Sequence, residues 1–225
     1  MKVSTDACIF GAVVAKTFAE KELQAPGYIA NYLDIGTGTG LLSLMLAQKT
    51  NALIDAVEID LAAFEQAKEN FITSPFKEKL SIYNEDILHF STGKKYNGII
   101  CNPPFFEGDL RSPDTKKNAA RHDTTLTLQQ LLTTANRHLK ENGLLAVLLP
   151  YHRIDECIKE AKALHLYTAE KILLRHTAKH PWLRAILFLS KIKTTSTTKE
   201  LEIKNQAGNY TDTCIFLLKE YYLHL

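Results

Sequence analysis

No apolar run in this chain approaches the roughly 18 to 20 residues needed to cross a bilayer. The longest candidate, Cys8 to Phe18, falls short. The opening Met1-Lys2-Val3-Ser4 lacks the pattern of a secretory leader, so a cytoplasmic protein is expected. Cysteine is scarce: only Cys8, Cys101, Cys157 and Cys214 are present, and no two form a C-x-x-C pair. That spacing argues against zinc and for reduced thiols, and no metal is expected. Net charge is small, at +2, and names no partner. Acids are missing altogether from the 29 residues between Lys171 and Lys199, which carry +7 and leave −5 for the rest of the chain. Such a stripe could neutralise phosphates or simply solvate one face of a strand pair.

What is there is ordinary for a globular protein: 225 residues, 45% hydrophobic and 23% charged. One domain over 1–225 is expected. It would comprise a helical lead-in (1–30), a core that binds a cofactor (31–150) and a C-terminal part with antiparallel edge strands (151–225). Short apolar segments alternate with helical ones. Strands are read at Asn31–Ile35, Leu53–Ile59, Leu80–Tyr83, Gly98–Cys101 and Leu144–Leu149. Between and after them fall helices at Leu41–Gln48, Leu61 to about Asn70 (capped by Asp60), Leu126–Leu139 and Tyr151–Leu164. Gly143 reads as a C-terminal stop for the third of these helices to follow a strand of the core, Leu126–Leu139. The rhythm then changes, with strands read at Ala169–Leu174, Ala185–Ile192 and Cys214–Leu218 and a polar hairpin loop at Lys193–Lys199. The repetition predicts an α/β fold: a Rossmann-like, mostly parallel sheet with helices on both faces and an antiparallel pair at one edge.

The first chemical signal is Leu33-Asp34-Ile35-Gly36-Thr37-Gly38-Thr39-Gly40, directly after the first strand. Glycines let the backbone turn tightly and approach a ligand, and in doubly wound sheets ligands bind beyond the carboxyl ends of the strands. The spacing is not the G-x-G-x-x-G of dinucleotide sites, and Asp34 is ill suited to pyrophosphate. S-adenosylmethionine carries an ammonium and a sulfonium instead, which suit an acid at the turn. This disfavours a nicotinamide oxidoreductase. Glu58 follows Gly36 by 22 residues, near the ~20 expected of a carboxylate on ribose hydroxyls, with Ile59 beside it. Asp86, after the third strand, could accept the adenine amino group, and Ile87 could pack on the ring.

The most specific signal is Asn102-Pro103-Pro104-Phe105, directly after the fourth strand. The amino group of a base is a poor nucleophile because its lone pair is delocalised into the ring. Two acceptors holding its N–H bonds change that: the Asn102 side-chain oxygen and the Pro103 carbonyl. The prolines keep this backbone rigid, Phe105 can stack on the acceptor ring, and orientation supplies much of the rate. Neither metal nor covalent intermediate is needed. A base within nucleic acid must leave its stack to reach this pocket. The intact motif argues against a module that only binds.

Together these residues resemble the class I amino-methyltransferases. The match is closer to the bacterial tRNA(Val) adenine N6-methyltransferase family, carried by Met1-Lys2-Val3-Ser4-Thr5-Asp6-Ala7, Asn102-Pro103-Pro104-Phe105-Phe106, Ala120-Arg121-His122-Asp123, Tyr210-Thr211 and Tyr221-Tyr222-Leu223. Members of that family usually carry a further short segment before the matching opening. The resemblance implies a seven-stranded sheet with an antiparallel last strand, and methylation of the adenine next to the anticodon of a valine tRNA. It places Thr5 and Asp6 near the methionine end of the cofactor. Arg121 and His122 would lie near the acceptor pocket, and Arg111, Lys116 and Lys117 on a loop facing RNA. Asp6 alone also reads as a helix N-cap, His122 as a surface histidine, and Trp182 as either an RNA stacking residue or a packing one. The expected partners are S-adenosylmethionine and tRNA, with no membrane, and the protein is expected to be a monomer. Two other acceptors share the Asn-Pro-Pro signature. One is the glutamine amide of a protein such as a release factor, whose enzymes carry a helical domain ahead of the glycine turn, where only 33 residues precede Asp34 here. The other is a guanine of ribosomal RNA, disfavoured by the opening segment and Ala-Arg-His-Asp.

Overall fold

A computed structural model describes residues 4–103 and 126–224. Helix α1 (Thr5–Leu23) leads into β1 (Asn31–Ile35), α2 (Leu41–Lys49), β2 (Leu53–Glu58), α3 (Leu61–Thr73), β3 (Leu80–Asn84) and β4 (Tyr96–Cys101). After the undescribed segment come α4 (Leu128–His138), β5 (Leu139–Pro150), α5 (Ile154–Ala163), β6 (Tyr167–Arg175), β7 (Arg184–Ser190), β8 (Thr197–Glu202) and α6 (Asp212–Leu218).

Among the described residues the strands form one eight-stranded sheet, in the order β3-β2-β1-β4-β5-β7-β6-β8. Strands β1 to β5 are parallel, and β7 runs antiparallel to both β5 and β6. The expected seven strands are therefore present with β8 added, parallel to β6 at the edge.

Side chains alternate across the sheet because successive strand residues point to opposite faces. In β5, Leu144, Ala146 and Leu148 join one core with Phe10, Val14 and Phe18 of α1, Leu46 of α2 and Leu218 of α6. Leu145, Val147 and Leu149 join the other, with Leu131 and Leu132 of α4 and Cys157 and Ala161 of α5. A strand buried on both faces needs the unbroken apolar run that β5 has. All four cysteines are buried free thiols. No helix among the described residues is long and apolar enough to cross a membrane.

Three expectations are corrected. Gly143 does not stop a helix. Helix α4 ends at His138, with Leu139 already extended as its C-cap. Leu139 is buried and pairs with Tyr96, and the register then shifts so that Leu144 pairs with Gly98. Gly143 serves that irregularity, where a Cβ would lie 3.0 Å from the Lys140 carbonyl oxygen. Cys214–Leu218 is helix rather than strand. Periodicity cannot classify so short an apolar run, and Thr211 decides it by accepting a capping hydrogen bond from the Cys214 N–H. Cys214 and Leu218, one turn apart, are buried while Phe216 is 57% exposed. Finally, Lys193–Lys199 is not a hairpin loop. Its end enters β8, which pairs with β6 and not with β7.

Candidate functional site

Strand register brings the signals together. Ile35 at the end of β1 pairs with Val57 of β2 on one side and Cys101 of β4 on the other. Gly36, Glu58 and Asn102 therefore leave three adjacent strands at one level, with neighbours about 4.8 Å apart. Glu58 pairs with Asn84, which puts Asp86 just past the end of β3 at the same edge.

The glycine turn is built from left-handed backbone: φ is +66° at Gly36, +59° at Gly38 and +85° at Gly40. Side chains with a Cβ rarely adopt that region. The amides of Gly36 and Thr37 both donate to the Val57 carbonyl, at 2.9 and 3.1 Å, which pins the turn to β2. Gly40 meets a second constraint, because a Cβ there would lie 2.4 Å from Phe71 Cε1 in α3. Gly40→Ala is therefore expected to lower stability by about 2–4 kcal/mol, from a strained dihedral plus overpacking. A melt followed by circular dichroism checks this; a Tm equal to that of the wild type would contradict it.

Asp34 is fully buried. Its Oδ2 accepts from the hydroxyls of Thr37 (2.6 Å) and Ser43 (2.7 Å). Ser43, in the first turn of α2, is not singled out by the sequence; its one signal is a polar residue within the apolar run from Leu41 to Ala47. Burial pushes the Asp34 carboxyl up to about 6, against the hydrogen bonds from Thr37 and Ser43, with the nearby charge of Glu58 adding to the rise. The second oxygen, Oδ1, is buried with no protein partner. A buried unpaired acceptor is costly, and a hydrogen-bond donor is what this atom lacks.

Glu58 is 9% exposed. One oxygen accepts the Gly38 amide at 2.8 Å and the other the Asp60 amide at 2.9 Å. Each oxygen keeps acceptor capacity beyond those bonds. Asp60 caps α3 by accepting from the Ala63 amide, as its sequence position suggests. Asp86 is partly exposed and accepts the Leu88 amide with Oδ1. Ile87 is in the core with Phe90 and Leu33, while Ile59 is 54% exposed at the mouth of the site. Asn102 and Pro103 are half-buried. Next to Asn102, the Cys101 thiol is held well above its usual range by burial, with Asp34 and Glu58 adding their negative charge. It stays protonated and is no nucleophile.

Thr5 and Asp6 lie in the first turn of α1, with Ser4 at the N-cap position, so Asp6 is inside the helix and not its N-cap. Asp6 Oδ2 accepts from Arg184 Nε at 3.1 Å. Arg184 pairs with Pro150, the last residue of β5, so this ion pair is on the carboxyl side of the sheet. The acid-free stretch is largely compensated from elsewhere. Arg175 pairs with Glu202, Arg184 with Asp6, Lys191 with Glu141 and Lys199 with Glu170. Pro104, Phe105, Arg111, Lys116, Lys117, Arg121 and His122 lie outside the described residues.

Residues 13–163 match the family described as the methyltransferase small domain. This chain is a methyltransferase of that family. A tRNA1(Val) (adenine(37)-N6)-methyltransferase of Dyadobacter fermentans is 46% identical over 167 residues, covering 73% of this chain and 64% of that protein. The methyltransferase of the same name from Pectobacterium carotovorum is 35% identical over 230 residues, covering 100% of this chain and 88% of that one. The fold also matches solved methyltransferases. A predicted O-methyltransferase, Atu636 of Agrobacterium tumefaciens, superposes with a TM-score of 0.70 at 14% identity, covering 97% of each chain. The glycopeptide N-methyltransferase MtfA in complex with S-adenosylmethionine gives 0.57 at 10% identity, covering 80% of this chain and 93% of that one.

Proposed function

We propose that this methyltransferase moves the methyl group of S-adenosylmethionine to the exocyclic amino group of an adenine in tRNA, at the position named for its relatives, adenine 37 of tRNA1(Val). The observation that carries the reading is the register that sets Asn102 beside the glycine turn, one strand from Gly36. Two features support the cofactor. The unpaired Asp34 Oδ1 suits the methionine ammonium, and Glu58, at the end of the neighbouring strand, retains lone pairs for the ribose hydroxyls. Asp86 would receive the adenine amino group of the cofactor, with Ile59 at the mouth. In the turn, Gly36, Gly38 and Gly40 give backbone with no side chain in the way, and the Thr37 hydroxyl is turned to Asp34.

S-adenosylmethionine supplies a methyl group on a positively charged sulfur. Asn102 accepts one N–H of the target amine with its side-chain oxygen, and Pro103 accepts the other with its carbonyl. Held this way, the nitrogen lone pair would be free to meet a bound methyl donor. With S-adenosylmethionine in place, a C–N bond would form as the C–S bond breaks, and the nitrogen would then release one proton to water. The protein supplies orientation and acceptors for the positive charge that grows on nitrogen. Phe105 would stack on the base, while Lys116, Lys117, Arg121 and His122 would bind RNA.

The test is mass spectrometry of nucleosides from bulk tRNA incubated with the protein and S-adenosylmethionine. N6-methyladenosine is expected to accumulate. Unchanged tRNA adenosine, with methylated glutamine in a release factor or methylguanosine in ribosomal RNA incubated in parallel, would sink the proposal.

A further inference from the structure

The carboxyl side of the sheet is not level. Cys101, which precedes Asn102, pairs with Val147, yet β5 continues three residues further, to Pro150. Strands β7 and β6 rise with it, since Arg184 pairs with both Pro150 and Leu174. At about 3.3 Å per residue, this is a wall roughly 10 Å high. It flanks the site on the β4 side, opposite the strands that carry Glu58 and Asp86. A polymer whose base reaches Asn102 from that side passes over its rim.

The rim has two parts joined by a hydrogen bond from the Tyr151 amide to the Leu183 carbonyl. One is Tyr151, directly after β5 and 41% exposed. The other is the β6–β7 loop, residues 176–183. Its base is fixed: Arg175 is held between Glu202, at 2.6 Å, and the ring of Trp182, 4.3 Å from the guanidinium. Trp182 in turn packs against the core, which favours the packing reading over stacking for that residue. The loop's top is exposed and contains no acid. His176 and His180 stack edge to face at 5.4 Å, and His180 also bonds to Thr177. Lys179 lies between them in sequence and is exposed. An ammonium and two imidazoles on a braced loop present N–H donors with no competing carboxylate in the segment.

We propose that this rim is the surface on which the RNA strand flanking the target adenine lies. Lys179, His176 and His180 contact phosphates, and the Tyr151 ring stacks on a neighbouring unpaired base. The proposal rests on the tRNA reading above and adds where the polymer runs.

The experiment measures binding of a fluorescein-labelled anticodon stem-loop RNA by anisotropy, across a salt series, for wild type, Lys179→Glu, Lys179→Ala and Tyr151→Ala. Calorimetry with S-adenosylmethionine and a thermal melt accompany each variant. The expected result is weaker RNA binding, about tenfold for Lys179→Glu, and a salt slope smaller by about one for Lys179→Ala. Tyr151→Ala is expected to lose about fivefold or more, given the ~1–3 kcal/mol of base–aromatic stacking. Cofactor affinity and Tm stay as in wild type. Variants that bind the RNA like wild type, while wild type itself binds and methylates tRNA, overturn the rim and leave the tRNA reading standing. A wild-type protein that neither binds nor methylates RNA overturns both.

Discussion

Asn102→Ala lowers methyl transfer to tRNA by about 10²–10³-fold, the usual cost of removing one preorganised group that meets charge developing in the transition state. The affinity for S-adenosylmethionine changes little, because the turn, Asp34 and Glu58 are untouched. The reason lies in the acceptor's chemistry. Adenine N6 has no free lone pair in its ground state, and only a nitrogen held by two oxygens is aimed at the methyl carbon. Alanine leaves the Pro103 carbonyl alone to do this. Single-turnover transfer of a tritiated methyl group, with calorimetry for the cofactor, separates the two quantities. Wild-type turnover in the variant would remove Asn102 from the mechanism; lost cofactor binding would make it a cofactor residue instead.

The second large effect concerns Asp34, where stability and binding pull in opposite directions. Its carboxyl titrates at about 6 in the folded protein, against an ordinary 3.8. The native state thus holds a proton that the unfolded chain has lost between those values. Stability from this group is complete below about 4 and is lost as pH rises through 6, by roughly 3 kcal/mol at ~1.4 kcal/mol per pH unit. At pH 7.5 the cofactor-free protein carries a buried anion with one unpaired oxygen. Asp34→Asn removes that charge and keeps an acceptor for the Thr37 and Ser43 hydroxyls. Without cofactor, the variant is expected to melt no lower than wild type at pH 7.5.

Cofactor binding behaves the other way. A methionine ammonium at Oδ1 prefers the ionised carboxylate, so wild-type affinity falls by up to about tenfold per pH unit below 6. In Asp34→Asn that dependence disappears, and at pH 7.5 affinity drops by about 10- to 100-fold, the worth of a hydrogen bond to a charged group. Calorimetry over pH 5 to 8, paired with melts of the free proteins, reads both. Equal pH profiles for the two proteins would mean that Asp34 serves only to hold Thr37 and Ser43.

How far these residues could be read in advance depended on the range of the forces involved. The turn of Gly36, Gly38 and Gly40 was legible because left-handed backbone is a local demand that only glycine meets cheaply. Asn102-Pro103-Pro104-Phe105 was legible because its chemistry sits in consecutive residues. Asp60 was legible as a cap because its bond reaches only to Ala63. Gly143 was misread because its local signal met a distant one, a partner strand that pairs Tyr96 with Leu139; Cys214–Leu218 was misread because an apolar run so short fits helix and strand alike, and the Thr211 cap that decides it lies just outside the run.

The role of the acid-free stretch from Lys171 to Lys199 could not be read from its local charge alone. Its neutralising carboxylates, Asp6, Glu141, Glu170 and Glu202, all come from outside it. Ser43 escaped notice because its importance is a 2.7 Å contact with Asp34, nine residues away and on another element.

By itself, then, the order of residues determined the alternation of strands and helices, the placement of the turn and the donor and acceptor groups at strand ends, since each follows from dihedral preference or side-chain chemistry within a few positions. Only the tertiary structure decided that β8 joins β6, that Asp34 keeps one oxygen unpaired, and that β5, β7 and β6 rise above the level of Cys101. Those outcomes depend on register and burial, which arise from contacts between segments far apart in the chain.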